Sequence, residues 1–220
     1  LPARSPARLR GMCSLWISPS LTLTGQLVRL EPLTLDHVDA LREAVRDGEL
    51  HTAWWTSTPS PDAMAADIRN KLALRDVGSM VPFACIRLVD GVTVGVTTYY
   101  DLSPEVPRLE IGYTWSRASS HGTGTNPDSK LLLLEYAFEE LGCQRVGIRT
   151  KWSNHQSRAA IERLGLKRDG ILRSYARLRN GVVDDAVLYA ALSTEWPAIK
   201  AGLTTRVNRH MTDAARDTAQ

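Results

Sequence analysis

One stretch, Leu109 to Gly142, limits the possible folds more than any other, because it joins a strand pattern, a glycine-rich loop and a long apolar helix. Apolar and aromatic residues alternate over 109–115, and the loop follows at 119–126. Apolar residues then recur at helical spacing over 130–141 and leave little of the helix surface polar. Such a helix must be covered on most of its sides, so it is expected to lie within a packed domain.

The loop in this stretch predicts a site for an anion. Asn126 is the predicted helix cap, with Pro127 at the first helical position and Asp128 at the positive end of the helix dipole. Gly122 and Gly124 allow backbone N–H groups to approach a phosphate or pyrophosphate closely. Two common nucleotide motifs do not match, because no Gly-Lys-Ser/Thr follows and the third glycine of the dinucleotide pattern is missing.

Composition limits the function classes. The chain has 220 residues, of which 43% are hydrophobic, enough for one domain with a well-buried core. Its formal charge of +3 equals the three arginines of residues 1–12, so no basic field over the domain suggests a nucleic-acid partner. No apolar run approaches membrane-spanning length, and no membrane partner is expected. Cys13, Cys85 and Cys143 lack Cys-x-x-Cys spacing, which favours a reducing cytoplasm.

The remaining patterns predict one domain between two flexible ends. Residues 1–22 are predicted to form a flexible basic arm, 23–203 a single domain ending in a short helix over 194–203, and 204–220 a flexible tail. The predicted order is strand, two helices, hairpin, strand, helix, strand, helix, hairpin, with hairpin turns at Asp90-Gly91 and Asn180-Gly181. This order indicates an α/β (α+β) fold with a mixed central sheet and helices on both faces.

Four blocks in the right order resemble the GNAT superfamily of N-acetyltransferases, in the branch of the Rim-type protein N-terminal acetyltransferases. The blocks are Leu109-Glu110-Ile111-Gly112-Tyr113, His121 to Asn126 with Lys130 to Leu134, Thr150 to Gly165, and Asp184 to Tyr189. The resemblance covers about 27–203. It implies a mostly antiparallel sheet of about seven strands with one splayed parallel pair, formed by 109–116 and 145–150, and acetyl-CoA as co-substrate.

The resemblance also implies which residues hold the coenzyme. The loop would bind the pyrophosphate, the end of the splayed strand would pair with the pantetheine arm, and the loop before the next helix would contact the same arm. Ser119 stands where the family usually has Arg or Gln, which removes a side-chain contact but keeps the N–H donors. The candidate coenzyme residues are Trp115, Ser116, Ser119, Ser120, His121, Gly122, Thr123, Gly124, Thr125, Asn126, Asn154 and Ser157.

Amine acetylation requires a neutral amine and a leaving thiolate that is protonated or tolerated. Glu110 is the candidate base, and it lies either in a lined pocket or on an exposed sheet face. The tyrosine that protonates the thiolate in many family members corresponds to Ile161, so Ser157 or water would take that role. A second acidic position of the Rim-type pattern corresponds to Arg177.

The acceptor is expected to be a primary amine on a protein N-terminus, a lysine or a small molecule. Trp54 and Trp55 either fill the core or form an aromatic wall beside the substrate, and His51 is a candidate near the amine or a solvated loop histidine. No histidine spacing matches a metal site, so no metal is expected. The family's late strands suggest a homodimer, and the alternative function is a catalytically weak acetyl-CoA sensor or scaffold.

Overall fold

The structure is a computed structural model that describes residues 16–217. The strands are β1 (Leu23–Thr24), β2 (Val28–Pro32), β3 (Met80–Arg87), β4 (Thr93–Ser103), β5 (Arg108–Ser116), β6 (Arg145–Lys151), β7 (Lys167–Arg177) and β8 (Val183–Leu192). The helices are α1 (Val38–Arg46), α2 (Met64–Asp76), α3 (Thr125–Glu135), α4 (His155–Arg163) and α5 (Trp196–Asp217). A π-helical turn, Tyr136–Glu140, extends α3.

All eight described strands form one mixed sheet in the order β1-β2-β3-β4-β5-β6-β8-β7. Every neighbouring pair is antiparallel except β5 and β6, which are parallel. The predicted fold class is confirmed, with one strand more than expected because β1 is a two-residue strand beside β2. Within 16–217, no helix has the length and apolar character needed to cross a bilayer.

The parallel pair opens soon after it begins. Only Arg108 to Glu110 of β5 pair with Arg145 to Gly147 of β6. Beyond that point β6 continues to pair with β8 up to Lys151, while residues 111–116 of β5 pair only with β4. The two strands therefore diverge into a cleft, and one edge of β5 presents backbone groups to it.

Two apolar cores fix the helices on the two faces of the sheet. Side chains of α3, α4 and α5 pack with residues such as Leu109 and Val146 on one face. Side chains of α1 and α2 pack with residues such as Ala84 and Trp115 on the other. Because both faces are covered, the open end of the β5–β6 cleft is a natural entry for ligands.

The C-terminal segment differs from the prediction. The helix predicted to end at Leu203 continues as α5 to Asp217, so residues 204–217 do not form the expected tail. Leu203 and Val207 are both buried, one helical turn apart, and this stripe holds the extension against the core. At the other end Ile17 is buried in the same core, so part of the predicted arm is ordered. Cys13 and the arginines of the arm lie outside the described residues.

Candidate active site

The loop before α3 leaves a group of backbone donors free. The helix begins at Thr125, with Gly124 as its cap in the left-handed region (φ 86°), so the prediction of Asn126 as the cap is wrong. Asn126 lies in the first turn instead. Within the described chain, the N–H groups of Gly122, Gly124, Thr125 and Asn126 have no hydrogen-bond acceptor. Four donors at the positive end of an α3 dipole suit a pyrophosphate.

Side chains inside the loop hold its shape rather than facing a ligand. The carbonyl oxygen of Ser120 accepts hydrogen bonds from the hydroxyls of Thr123 (2.8 Å) and Thr125 (3.2 Å). The Ser120 hydroxyl donates to the carbonyl of Arg117 at 2.9 Å. His121 is exposed, and its Nε2 lies 3.2 Å from the carbonyl oxygen of Ser116. The backbone donors are therefore the groups of this loop that are available to an anion.

Ser119 is bound to a residue that the sequence analysis did not identify. Its hydroxyl donates to Asp47 Oδ2 at 2.5 Å, and Arg117 Nε donates to the same oxygen at 2.7 Å. The hydrogen bonds from Ser119 and then Arg117 lower the pKa of Asp47 below its usual value. Asp47 follows α1, so this contact fixes the start of the coenzyme loop to the opposite side of the sheet.

A second aspartate fixes the start of α3. Asp128 is buried, and its Oδ2 accepts the backbone N–H groups of Leu27 (2.7 Å) and Val28 (2.9 Å). The predicted role at the helix dipole is compatible with this position in the first turn. Asp128 also joins α3 to β2, so the free N–H groups have a fixed direction.

Trp115 and Ser116 end the strand that borders the cleft. Trp115 is buried between the sheet and α1 and α2, and its ring N–H has no partner within the described residues. Just before it, Tyr113 has a positive φ of 50°, and the β4–β5 register shifts between Val96 and Thr98. This bulge breaks the regular pleat of β5 beside the cleft.

Glu110 lies at the point where β5 and β6 part, opposite Gly147. It is buried rather than on an exposed face, and Tyr100 (2.5 Å) and Arg149 (3.1 Å) both donate to its Oε2. No described group donates to Oε1. A Cβ on Gly147 would lie 3.1 Å from Glu110 Cγ, so glycine there leaves room for the carboxylate.

Aromatic residues and cations surround this carboxylate. Burial and then the hydrogen bond to Glu110 raise the pKa of Tyr100 well above its ordinary value, so Tyr100 stays protonated as a donor. Arg149 also donates to the Tyr175 hydroxyl at 2.5 Å. Lys71 of α2 lies 5.7 Å from the centre of the Tyr113 ring, which places the cluster on the sheet face covered by α2. The sequence offered no local signal for these partners.

The two predicted tryptophans line a cavity of about 500 Å³. Trp54 and Trp55 meet edge to face at 5.5 Å, between α1 and α2. The turn between β6 and α4 also lines the cavity, from Trp152 to Gln156. The cavity therefore lies where β6 ends, and it includes Asn154.

Asn154 caps α4, as its position before the helix indicated. Its Oδ1 accepts the backbone N–H of Ser157 at 3.0 Å. Ser157 lies in the first turn of α4 and is partly exposed, with no hydroxyl partner within the described chain. Ile161, where the family tyrosine was expected, is buried in the core and offers no polar group.

His51 contacts the domain mainly through its backbone. Its Nδ1 lies 3.4 Å from the carbonyl oxygen of Val45. Arg179, in the turn between β7 and β8, donates to the His51 carbonyl at 2.8 Å and to the Thr58 carbonyl. The hairpin turn is thereby bound to both ends of the segment that carries Trp54 and Trp55. Arg179 therefore holds the turn against this segment, whereas the exposed Arg173 side chain forms an ion pair with Asp185.

Lys130 is a buried cation in α3 that the motif analysis treated only as part of a sequence block. Its Nζ donates to the hydroxyls of Thr97 (3.1 Å) and Thr114 (3.2 Å), and no described carboxylate pairs with it. Burial lowers the pKa of this amine to about 8. Within residues 16–217, no group of three or more His, Cys, Asp or Glu side chains is arranged to hold a metal.

The geometry agrees with a comparison of the sequence with known protein families. The family described as "Acetyltransferase (GNAT) domain" matches residues 28–167, well over half of the chain. The chain belongs to the GNAT acetyltransferase family. This confirms the predicted superfamily and the prediction of an acetyltransferase. The matched residues include the splayed strands, the coenzyme loop and α4.

Relatives of this GNAT protein support the Rim-type resemblance. It is 35% identical over 113 residues to a Bacillus subtilis protein named "Putative ribosomal N-acetyltransferase YdaF", a match that covers 51% of this chain and 61% of that one. The chain thus spans less than two thirds of the length of that relative. A solved structure of a "putative acetyltransferase" from T. thermophilus is 33% identical, with a TM-score of 0.73, and covers 84% of this chain and 96% of its own. Mycobacterium smegmatis RimJ in complex with CoA-disulfide shares the fold, at 21% identity, a TM-score of 0.72 and coverage of 84% and 94%.

Proposed function

We propose that this GNAT protein transfers the acetyl group of acetyl-CoA directly to a primary amine. The observation that carries the proposal is the set of four free N–H groups at the start of α3, next to the cleft between β5 and β6. A ligand that carries an anionic group on an extended arm fits both features, with the anion at the N–H groups and the arm in the cleft. Acetyl-CoA has both, and when bound it supplies a thioester that an amine can attack.

The loop donors and the edge of β5 bind different parts of the coenzyme. The N–H groups of Gly122, Gly124, Thr125 and Asn126 bind the pyrophosphate. The free edge of β5, including Trp115 and Ser116, hydrogen-bonds the pantetheine arm. The Asn154 amide group lies at the mouth of the same cleft and contacts the arm there.

Glu110 acts as the base in this proposal. Its Oε2 is held by Tyr100 and Arg149, which fixes the carboxylate, while Oε1 remains free to accept a proton. As the C–N bond forms, the nitrogen becomes acidic and loses its proton to Oε1, directly or through one water.

Ser157 and the start of α4 serve the leaving group. As the C–S bond breaks, negative charge develops on sulfur, and the positive end of the α4 dipole stabilises it. The Ser157 hydroxyl has no described partner and donates a hydrogen bond to the sulfur. Its proton, if transferred, is replaced from solvent at the mouth of the cleft.

The acceptor enters beside Trp54 and Trp55, which form one wall of the cavity. The name of the Bacillus subtilis relative, a ribosomal N-acetyltransferase, supports a ribosomal protein amine as the acceptor. Lysine side chains and small amines are the other classes. Cys85 and Cys143 are free and buried, which supports a reducing cytoplasm as the location.

The test is release of coenzyme thiol from acetyl-CoA with peptide N-termini, lysine peptides and small amines, each matched to an acetylated control peptide or amine. We expect rapid release with one class of free amine and none with its acetylated form. Mass spectrometry of the product locates the acetyl group. Tight binding of the coenzyme without transfer to any acceptor would favour the sensor or scaffold instead.

A further inference from the structure

The C-terminal helix reaches the coenzyme loop. Near the start of α5, Lys200 pairs with Glu135 (2.6 Å) and Glu139 (2.8 Å) at the far end of α3. Near its other end, His210 lies against Gly124, since a Cβ on that glycine would be 2.8 Å from His210 Cβ and Cγ. The helix α5 therefore runs antiparallel along α3, and its last turns lie beside the free N–H groups.

Three arginines gather at this end of α5. Arg206 Nη1 donates to the carbonyl oxygen of Arg163 at the end of α4, at 2.6 Å. Burial, and then the positive charges of Arg163 and Arg209, lower the pKa of Arg206 below its ordinary value, so Arg206 lies near both of the other cations. Among the described side chains, no carboxylate forms an ion pair with any of them. We call Arg163, Arg206 and Arg209 the arginine cluster.

Packing alone does not explain the arginine cluster. One Arg206 donor is used by the Arg163 carbonyl, and a guanidinium has five. Arg163 and Arg209 are exposed. Like charges close together repel one another, and a bound anion relieves that repulsion. Guanidinium donors bind phosphate oxygens with good geometry, so a phosphate suits this cluster.

The spacing along α5 agrees with one phosphate of the coenzyme. Arg206 precedes His210 by four residues, a rise of about 6 Å along α5. In coenzyme A, the 3′-phosphate is separated from the pyrophosphate by one ribose, which spans a similar length. We propose that the arginine cluster binds the adenosine 3′-phosphate of the coenzyme. This inference rests on the proposed function, because it assumes that the loop beside His210 holds the pyrophosphate.

The test compares coenzyme A with 3′-dephospho-coenzyme A, which keeps the pyrophosphate and lacks only the group in question. Dissociation constants are measured by calorimetry for the wild type, for the double variant Arg163→Ala/Arg209→Ala, and for Lys200→Ala. Lys200 is the matched control because it is a cation on the same helix at the opposite end. Arg206 is left unchanged because it also binds the end of α4.

We expect the wild type to bind coenzyme A about tenfold more tightly than the dephospho form, as charge-assisted hydrogen bonds to one phosphate predict. The double variant should lose this preference through weaker binding of coenzyme A alone, and Lys200→Ala should keep it. The preference should also shrink as salt is raised. Equal binding of both forms by the wild type, or a full preference in the double variant, would overturn the inference. If neither form binds the wild type, the proposed function itself is wrong.

Discussion

The Lys130 ammonium lies 3.2 Å from the Thr114 hydroxyl, in the part of β5 that has already separated from β6. The Thr97 hydroxyl is the other described acceptor, at 3.1 Å. Two neutral hydroxyls compensate a buried positive charge only in part, which is why burial lowers the pKa of Lys130 to about 8.

This relationship predicts how stability depends on pH. The pKa of Lys130 falls from 10.5 when unfolded to about 8 in the folded protein, so between these values the unfolded chain binds more protons. Its contribution to the free energy of unfolding therefore rises with pH across that window and is least favourable below it. Replacing Lys130 by Met should remove the rise and increase stability at pH 7 by up to about 3 kcal/mol.

Urea denaturation of the wild type and Lys130→Met, from pH 7 to pH 10.5, measures the difference. The Met side chain has a similar length, and Thr97 and Thr114 already lie 2.9 Å apart at their hydroxyls, so we expect each to keep a hydrogen-bond partner in the variant. The subtraction cancels other groups that titrate in the same range. Parallel stability curves for the two proteins would show that the Lys130 amine titrates at its ordinary pKa.

The loop glycines give a second prediction. Gly122 and Gly124 both have positive φ, 80° and 86°, but only Gly124 is crowded, since its Cβ would lie 2.7 Å from Leu27 Cδ1. Gly124→Ala should therefore lower both stability and coenzyme affinity. Gly122→Ala should cost only about 1 kcal/mol of stability, because no protein atom lies within 4 Å of its Cβ, and yet raise the KM for acetyl-CoA at least about tenfold if the open space holds the pyrophosphate.

Gly181→Ala is the matched control for this pair. Gly181 has a φ of 84°, and its Cβ would also meet no atom within 4 Å, but it lies in the β7–β8 turn. It therefore reproduces the backbone strain of Gly122→Ala without touching the loop. Thermal melts and the KM for acetyl-CoA separate the two effects, and an unchanged KM in Gly122→Ala would contradict the assignment of the anion site.

The site could be predicted from sequence where its parts are close along the chain. The loop and the start of α3 are one continuous segment, and Asn154 caps the Ser157 N–H three residues away. Contacts between distant residues left no such pattern. Ser119 meets Asp47 across 72 positions, and Glu110 meets Arg149 across 39, so both required the folded sheet.

The end of α5 could not be predicted from the sequence for a different reason. The apolar stripe of Ile199, Leu203 and Val207 was present in the sequence, but the predicted helix ended at Leu203 and Val207 fell in the expected tail. Only the packing of that stripe on α3 and α4 revealed a helix up to Asp217. Helical periodicity is thus a weak guide when one narrow stripe is buried and the rest of the helix is polar.

Arg179 offers a prediction about the acceptor alone. Its guanidinium joins the β7–β8 turn to the carbonyl groups of His51 and Thr58, on either side of Trp54 and Trp55. Arg179→Ala should release this segment and raise the KM for the acceptor about tenfold or more, because an aromatic wall that moves binds less well. The dissociation constant of coenzyme A should stay unchanged.

Arg173→Ala, in the same hairpin, is the control, since the Arg173 side chain is 83% exposed in its ion pair with Asp185 and such a pair contributes little. Initial rates at saturating acetyl-CoA and varied acceptor measure the effect. Weaker binding of the coenzyme by Arg179→Ala would mean that the Arg179 hydrogen bonds support the whole site rather than only the segment that carries Trp54 and Trp55.

Glu110 gives the most direct prediction about the chemistry. Glu110→Gln keeps the shape of the side chain and an oxygen that can accept from Tyr100 and Arg149, but it removes the base. We expect kcat to fall by a factor of about 100 or more, as for loss of general base catalysis, with little change in coenzyme affinity. A purely structural role of Glu110 would instead lower the thermal midpoint or the coenzyme affinity together with kcat.

Glu105→Gln is the control, because Glu105 is an exposed glutamate in the loop just before β5. Wild type and both variants are compared by thiol release, thermal melts and coenzyme binding, with the acceptor class found for the wild type. If Glu110→Gln retains its rate, the proton leaves the amine by another route, and the ion pair of Glu110 with Arg149 serves only to hold β5 and β6 together where they part.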